Sequence, residues 1–164
     1  MAEALRMDFT RIAPEVYKHL LQIEALIAGK LDSKLLHLIK LRASQINGCA
    51  YCLAMHTDEA LADGEPTERL TLLDAWEEST LYSERERAAL AWVEEVTLIA
   101  DSGASKESFE CLKAHFSEQE IGWLTMAAVM INAWNRVAIS SRAQYDRRMF
   151  AHAAAPAQKT AEPA

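Results

Sequence analysis

Residues 46–56, with the sequence INGCAYCLAMH, hold two of the three cysteines and one of the five histidines in a chain of 164 residues. On a helix that begins near Gly48, the side chains of Cys49, Cys52 and His56 share one face, because positions three, four and seven apart lie in one stripe. A helix N-terminus stabilises a thiolate, and a histidine one turn away can accept the thiol proton. The stretch therefore predicts a dithiol redox site on a helix.

The natural reaction of such a pair is attack by one thiolate on a peroxide oxygen, which gives a sulfenic acid that the second thiol converts to a disulfide. An external dithiol must then reduce the disulfide for turnover. The residues alone do not decide which cysteine attacks first. Proximity to His56 favours Cys52, whereas the more N-terminal position favours Cys49.

Two other interpretations fit the same cysteines. Small apolar thiols also fill helix faces, in which case the pair is structural. Alternatively, Cys49, Cys52 and His56 could supply three zinc ligands, and Cys111 with His115 forms a further Cys-x-x-x-His pair. A C-x-x-C zinc site usually lies in a turn rather than on a helix, so the redox interpretation is preferred.

Composition narrows the class of protein. The net charge of −7 argues against a nucleic-acid partner, which would require a basic surface. Residues 1–10 mix acids and bases and lack the apolar core of a secretion signal. The apolar run at residues 121–134 is too short for a membrane span and is typical of a buried helix. Three cysteines are too few for a disulfide scaffold, and their odd number fits a reducing cytosol, so we expect a cytoplasmic protein. Because the apolar run is short, we expect no membrane partner.

Helical spacing of apolar residues, with capping residues at regular intervals, predicts an all-α bundle of about six to seven helices. No segment alternates with period two, so no strands are predicted. We expect a single domain over residues 1–150 and a disordered Ala/Pro-rich tail over residues 151–164. The predicted helices run from Pro14 to about Gly29, from Asp32 or Ser33 to about Asn47, from about Gly48 to about Ala62, from Thr67 to about Trp76, from Ser83 to about Ala100, from Ser105 to about His115 and from Ser117 to about Ala143.

Three sequence segments carry a family resemblance. Residues 38–52, LIKLRASQINGCAYC, are followed by Met55-His56, and two further matches are residues 83–92, SERERAALAW, and residues 131–136, INAWNR. Together they resemble the alkylhydroperoxidase D (AhpD-like) branch of the carboxymuconolactone decarboxylase family, over about residues 10–148. A C-x-x-C that follows Gln-Ile-Asn-Gly and precedes a histidine by four residues is far more specific than C-x-x-C alone.

The resemblance implies an AhpD-like helical fold and a peroxidase that uses its own dithiol without a cofactor. It implies that Cys52 is the peroxidatic thiol, Cys49 the resolving thiol and His56 part of a proton relay. The substrate would be a hydroperoxide, and the reductant a lipoylated or thioredoxin-like dithiol protein. The resemblance also implies a homo-oligomer built on trimers, commonly a hexamer.

Two positions depart from the family pattern. The family relay usually has a glutamate twelve residues before the first cysteine, where this chain has His37, and a histidine inside the C-x-x-C, where this chain has Tyr51. A neutral imidazole at His37 can still pass a proton, so we keep it as a candidate relay residue and expect an altered pH dependence. The departures leave one rival function open, a redox-sensing or disulfide-exchange protein with little peroxidase turnover. A further alternative is a structural helical oligomer with inert thiols or a zinc-binding protein.

Overall fold

The computed structural model describes residues 5–146, and all the regular secondary structure in that range is helical. The all-α prediction is therefore confirmed. The predicted tail at residues 151–164 and the domain boundary at residue 150 lie outside the described residues and stay predictions. The α-helices are α1 Phe9–Ile12, α2 Pro14–Ala28, α3 Ser33–Asn47, α4 Ala50–Ala62, α5 Thr67–Leu72, α6 Glu84–Thr97, α7 Ile99–Ser102, α8 Lys106–Lys113 and α9 Glu118–Ser141, with a 3-10 turn at Leu73–Ala75 after α5.

Side-chain caps explain where the main helices begin. Ser83 and Ser117 each accept a hydrogen bond from the backbone N–H three residues on, and the glutamate at that third position bonds back to the serine N–H. Asp32 caps α3 by accepting from the backbone N–H of Leu35 at 3.1 Å. A cap of this kind contributes about 1 kcal/mol to stability. Because the capping residues form a local sequence pattern, these helix starts could be predicted from the sequence.

Three boundaries differ from the sequence-based expectations. The predicted helix to Ala100 ends at Thr97, because Leu98 leaves the helical conformation (φ −99°, ψ 33°) and α7 follows separately. The predicted helix to Trp76 tightens into the 3-10 turn after Leu72. Helix α1 was not predicted. It ends next to Pro14, as expected where a proline disfavours helical backbone in the residue before it.

Helix α3 lies at the centre of the bundle and packs against α4, α6 and α9. Its residues Ile39 and Ala43 belong to the larger apolar core, and Leu38 and Leu41 to a smaller one on another side of the helix. Because α3 is buried on more than one side, its C-terminal end is a rigid support for whatever follows it. Within residues 5–146, no helix combines the length and the apolar character that crossing a membrane requires.

Candidate functional site

The candidate redox site lies at the junction of α3 and α4. Gly48 ends α3 in the left-handed conformation (φ 67°), which glycine adopts without strain, and it turns the chain directly into α4. Cys49 is the N-cap of α4, and its Sγ accepts a hydrogen bond from the backbone N–H of Cys52 at 3.3 Å. The two cysteines form a disulfide with a Cα–Cα distance of 5.4 Å. Both side chains are almost completely buried, at 1% and 2% exposure.

A network of buried amides holds this junction against α9. Asn47 donates from Nδ2 to Oδ1 of Asn132 at 3.0 Å and to Oδ1 of Asn135 at 2.9 Å. Asn135, which is fully buried, donates in turn to Oγ of Ser44 at 3.0 Å. Buried amides that satisfy one another in this way fix a unique arrangement. The asparagines of the motifs at residues 46–56 and 131–136 therefore hold the start of α4, which carries the dithiol, against α9.

His56 lies one turn after Cys52 on α4 and is 4% exposed. Its Nδ1 is 2.7 Å from Oε2 of Glu59, which lies three residues further along the same helix. With Nδ1 engaged by the carboxylate, Nε2 is the ring nitrogen available for proton exchange. A histidine oriented by a carboxylate is a common device for general acid–base work.

The Glu59 carboxyl is shifted toward its charged form. Burial alone would raise its pKa, but the hydrogen bond with His56 lowers it. The charges of His56, Lys40 and His37 act in the same direction, and together these effects place the pKa of Glu59 below its ordinary value. Glu59 is therefore ionised at neutral pH and can hold the imidazole in one orientation.

An apolar cavity of about 380 Å³ opens beside Cys52, His56 and Glu59. Several polar residues interrupt its apolar wall, among them Asp8, Thr10 and Ser141. Lys40 Nζ also donates to Glu24, and Trp134 Nε1 donates to the other oxygen of that carboxylate at 3.2 Å. Cys49 is not among the described residues that line this cavity. The apolar part of the wall comprises Leu5, Met7, Phe9, Tyr17, Leu21, Tyr51, Met55, Trp134, Val137, Ala138 and Ala143.

The structure brings three of the four predicted site residues together, namely Cys49, Cys52 and His56. The fourth, His37, lies on α3, where its Nε2 is 3.3 Å from Oδ2 of Asp63. His37 is not among the described residues that line the cavity, and it acts on the site through the pKa of Glu59. Its role as a relay residue stays a prediction.

Sequence reasoning missed the three carboxylates that line the cavity, which are those of Asp8, Glu24 and Glu59. Glu59 carried a readable signal, because a carboxylate three residues after a histidine on one helix can reach its ring. Glu24 lies on α2, and no local pattern in the sequence connects that helix to the dithiol. Only the packing of α2 beside α9 brings Glu24 to Trp134 and the cavity.

Tyr51 occupies the position inside the C-x-x-C. Its ring packs edge-on against Tyr145, with ring centroids 5.7 Å apart. Burial, followed by the nearby Tyr17 and Glu59, raises the pKa of Tyr51, so the phenol stays protonated at neutral pH. Tyr51 therefore contributes a wall to the site rather than a titrating group.

Within residues 5–146, no group of three or more His, Cys, Asp or Glu side chains is arranged to hold a metal ion, as the zinc interpretation would require. Cys111 is a free, exposed thiol on α8. Cys49 and Cys52 are joined to each other.

Comparison with known proteins gives consistent results. The carboxymuconolactone decarboxylase family matches residues 14–95. The uncharacterised protein YdfG of Bacillus subtilis is 36% identical over 136 residues, covering 82% of this chain and 92% of the relative.

Solved structures share the fold. A protein of unknown function from Agrobacterium tumefaciens, described as a candidate antioxidant defence protein AhpD, is 43% identical with a TM-score of 0.84, covering 87% of this chain and 99% of the other. An uncharacterised peroxidase-related protein with an alkylhydroperoxidase AhpD core, from Ralstonia eutropha JMP134, has a TM-score of 0.74 at 17% identity. That match covers 84% of this chain and 74% of the other, and it bears on the fold alone.

Proposed function

The chain belongs to the carboxymuconolactone decarboxylase family, and from that premise we propose that it is a thiol-dependent peroxidase that reduces organic hydroperoxides with the Cys49–Cys52 dithiol. The observation that carries the proposal is the placement of Cys52. This sulfur lines an apolar cavity together with His56, which a carboxylate orients. The AhpD-like resemblance and the disulfide between the two cysteines fit an antioxidant role.

In the proposed reaction, the Cys52 thiolate attacks one oxygen of the hydroperoxide and the O–O bond breaks. The leaving alkoxide takes a proton from Nε2 of His56 and departs as an alcohol, while Cys52 becomes a sulfenic acid. Cys49 then attacks the Cys52 sulfur. The hydroxyl leaves as water, and the disulfide forms. A dithiol reductant returns the two electrons and completes the cycle.

The geometry supports Cys52 rather than Cys49 as the attacking thiol. The helix N-terminus acts on both thiols, since Cys49 is the N-cap of α4 and Cys52 lies in its first turn, so this charge does not separate them. Cys52 differs from Cys49 in lining the cavity. Its position beside the cavity gives a substrate access to it, and Glu59 holds His56 one turn away. A cavity of about 380 Å³ with mostly apolar walls suits an alkyl or aryl hydroperoxide better than hydrogen peroxide.

The partners proposed with this activity follow from the family resemblance. The reductant would be a lipoylated or thioredoxin-like dithiol protein in the cytoplasm, and the chain would form a trimer-based homo-oligomer. The apolar face of α2 supports an assembly, since Val16 and Leu26 are 61% and 60% exposed. Large apolar side chains exposed on one helix commonly mark an interface.

The test is performed on fully reduced protein with cumene hydroperoxide and dihydrolipoamide. Peroxide loss is followed while disulfides are mapped by peptide mass spectrometry. We expect many turnovers and a Cys49–Cys52 disulfide. Cys52→Ser should abolish turnover, whereas Cys49→Ser should accumulate a sulfenic acid that a sulfenate-reactive probe captures. A protein that forms no disulfide would rule the proposal out in favour of a structural or metal-binding role.

A second candidate is a redox sensor or disulfide-exchange protein with little peroxidase turnover. The near-complete burial of both sulfurs favours the redox sensor, because burial slows reduction by a protein dithiol and so limits turnover. The same experiment separates the two candidates: a sensor forms the Cys49–Cys52 disulfide stoichiometrically, and then peroxide loss stops.

A further inference from the structure

We propose that the reducing thiol reaches the disulfide through a second opening and attacks Cys49, on the side away from the apolar cavity. This opening, which we call the notch, has a volume of about 120 Å³. The inference rests on the proposed function only in assuming that the disulfide is a turnover intermediate. The residues that line the notch are Gly48, Cys49, Ala50, Tyr51, Ala138, Ile139, Arg142, Ala143 and Gln144.

Each of the two openings is lined by one cysteine of the disulfide. Among the described residues, Cys52 lines the cavity and is absent from the lining of the notch, whereas Cys49 lines the notch and is absent from the lining of the cavity. Tyr51, Ala138 and Ala143 line both spaces and therefore form the wall that separates them. Each cysteine thus borders a space of its own.

The two openings also differ in character. The cavity is about three times larger and mostly apolar, as an organic substrate requires. The notch is bordered by the polar side chains of Arg142 and Gln144, and Gly48 and Ala50 leave one edge without bulk. The thiol end of a reductant matches this smaller and more polar space, whereas the organic hydroperoxide matches the apolar cavity.

Thiol–disulfide exchange depends on which sulfur the incoming thiolate can reach and on how well the other sulfur leaves. In the notch the incoming thiolate can reach Cys49, because Cys49 and not Cys52 lines that space. Departure selects Cys52, because His56 lies one turn further along α4 and can stabilise a thiolate there, whereas the helix N-terminus acts on both sulfurs. Both requirements point to the same direction of attack.

The electron balance closes with a dithiol reductant. The first reductant thiolate forms a bond to Cys49 Sγ, and the Cys49–Cys52 bond breaks, which releases Cys52 as a thiolate facing the cavity. The second reductant thiol attacks the reductant's own sulfur in the mixed disulfide and frees Cys49, which takes up a proton. The reductant leaves as a disulfide, and Cys52 is already in the form that attacks the next hydroperoxide.

The first test maps the mixed disulfide without any peroxide. A Cys111→Ser variant, which removes the exposed free thiol, is oxidised with diamide, mixed briefly with glutathione and quenched with N-ethylmaleimide. Peptide mapping should find glutathione on Cys49 and maleimide on Cys52, with about a tenfold preference or more. Glutathione on Cys52, or on both cysteines equally, would overturn the inference and leave the peroxidase proposal untouched.

The second test narrows each opening separately. Ala50 is exposed at the first position of α4 and lines the notch, whereas Val137 lines the cavity. Ala50→Phe should slow reduction of the diamide-formed disulfide by dihydrolipoamide about tenfold and leave oxidation of the reduced protein by cumene hydroperoxide within about twofold. Val137→Phe should do the reverse. The inference is wrong if Val137→Phe slows reduction as much as Ala50→Phe does, with melting temperatures confirming that both variants fold.

The two tests fail differently from the proposed function. If the wild-type protein does not react with hydroperoxide, diamide still supplies the disulfide, and the site of glutathione attachment is still decided. If turnover is normal and glutathione attaches to Cys52, the peroxidase proposal stands while the notch has no part in reduction.

Discussion

Two histidine–carboxylate pairs lie near one another in this protein, and they differ in burial. His56 and Glu59 are 2.7 Å apart on α4, with side chains 5% and 36% exposed. His37 on α3 and Asp63 after α4 are 3.3 Å apart, with side chains 15% and 42% exposed. The first pair lines the cavity beside the dithiol, and the second pair does not belong to its described lining.

The two pairs differ in how strongly each carboxylate can act on its histidine. Water screens the exposed Asp63, whose pKa is lowered mainly by a hydrogen bond from Ser33 and then by His37. Glu59 is partly buried, and its charge is maintained by His56 against the effect of burial. A carboxylate in the less polar position can fix and polarise an imidazole more strongly.

The largest expected difference between the two pairs is in the rate of hydroperoxide reduction when each histidine is replaced by alanine. His56→Ala should lower the rate of cumene hydroperoxide reduction about 100-fold or more, the usual range for removing a general acid or base. His37→Ala, the matched control, should change it less than about threefold, since His37 acts only through the charge of Glu59. The measurement is the second-order rate constant of the reduced protein by stopped flow.

The pH dependence of thiol alkylation provides an independent check on these two variants. Iodoacetamide reacts with the thiolate, so its rate profile should move to higher pH in His56→Ala and stay in place in His37→Ala. Equal losses in the two variants would remove the difference between the pairs and support His37 as the candidate relay residue, although it departs from the glutamate of the family pattern.

The second prediction tests the role of each pair's carboxylate in the reaction. Glu59→Gln keeps the shape of the side chain but removes the charge that orients the imidazole. We expect a loss of about 10- to 100-fold in rate, as for other hydrogen-bond partners that orient a working histidine. Asp63→Asn should leave the rate within about twofold, because its histidine partner does not line the cavity. A larger loss in Asp63→Asn than in Glu59→Gln would show that the surface pair, rather than the cavity pair, supports the reaction.

Much of the fold could be predicted from the sequence because its signals are local. The capping boxes at Ser83 and Ser117 and the glycine turn at Gly48 each act within a few residues, and the structure has all three. The spacing of Cys49, Cys52 and His56 likewise depends on one helix. Such features need no knowledge of the tertiary fold.

The remainder of the candidate site depends on contacts between helices distant in sequence. Glu24 reaches the cavity from α2, and its partners Lys40 and Trp134 come from α3 and α9. The division of the disulfide between two openings depends on Ala138 and Ala143, which follow Cys52 by more than eighty residues. No periodicity or cap encodes these relations, so only the folded structure reveals them.

The smallest expected effect concerns stability in acid. The pKa of Glu59 in the folded chain lies below its ordinary value of 4.5, so its stabilising contribution is fully present above about pH 4.5 and is lost as the pH falls through the lowered pKa. Glu59→Gln should therefore reduce the free energy of unfolding at pH 7 by at most about 1 kcal/mol, and the difference from wild type should narrow below pH 4.5. Urea unfolding between pH 7 and pH 3 measures it.

The matched variant in that titration is Asp63→Asn. Its carboxyl also has a lowered pKa, but from an ordinary value of 3.8 and at an exposed position, so its difference from wild type should be smaller and should disappear at lower pH. A salt series sharpens the contrast, because added salt weakens an exposed pair more than a partly buried one. A Glu59→Gln difference that grew as the pH fell would mean that the carboxyl binds its proton more readily in the folded chain, and the charged cavity pair would then be the wrong description of this site.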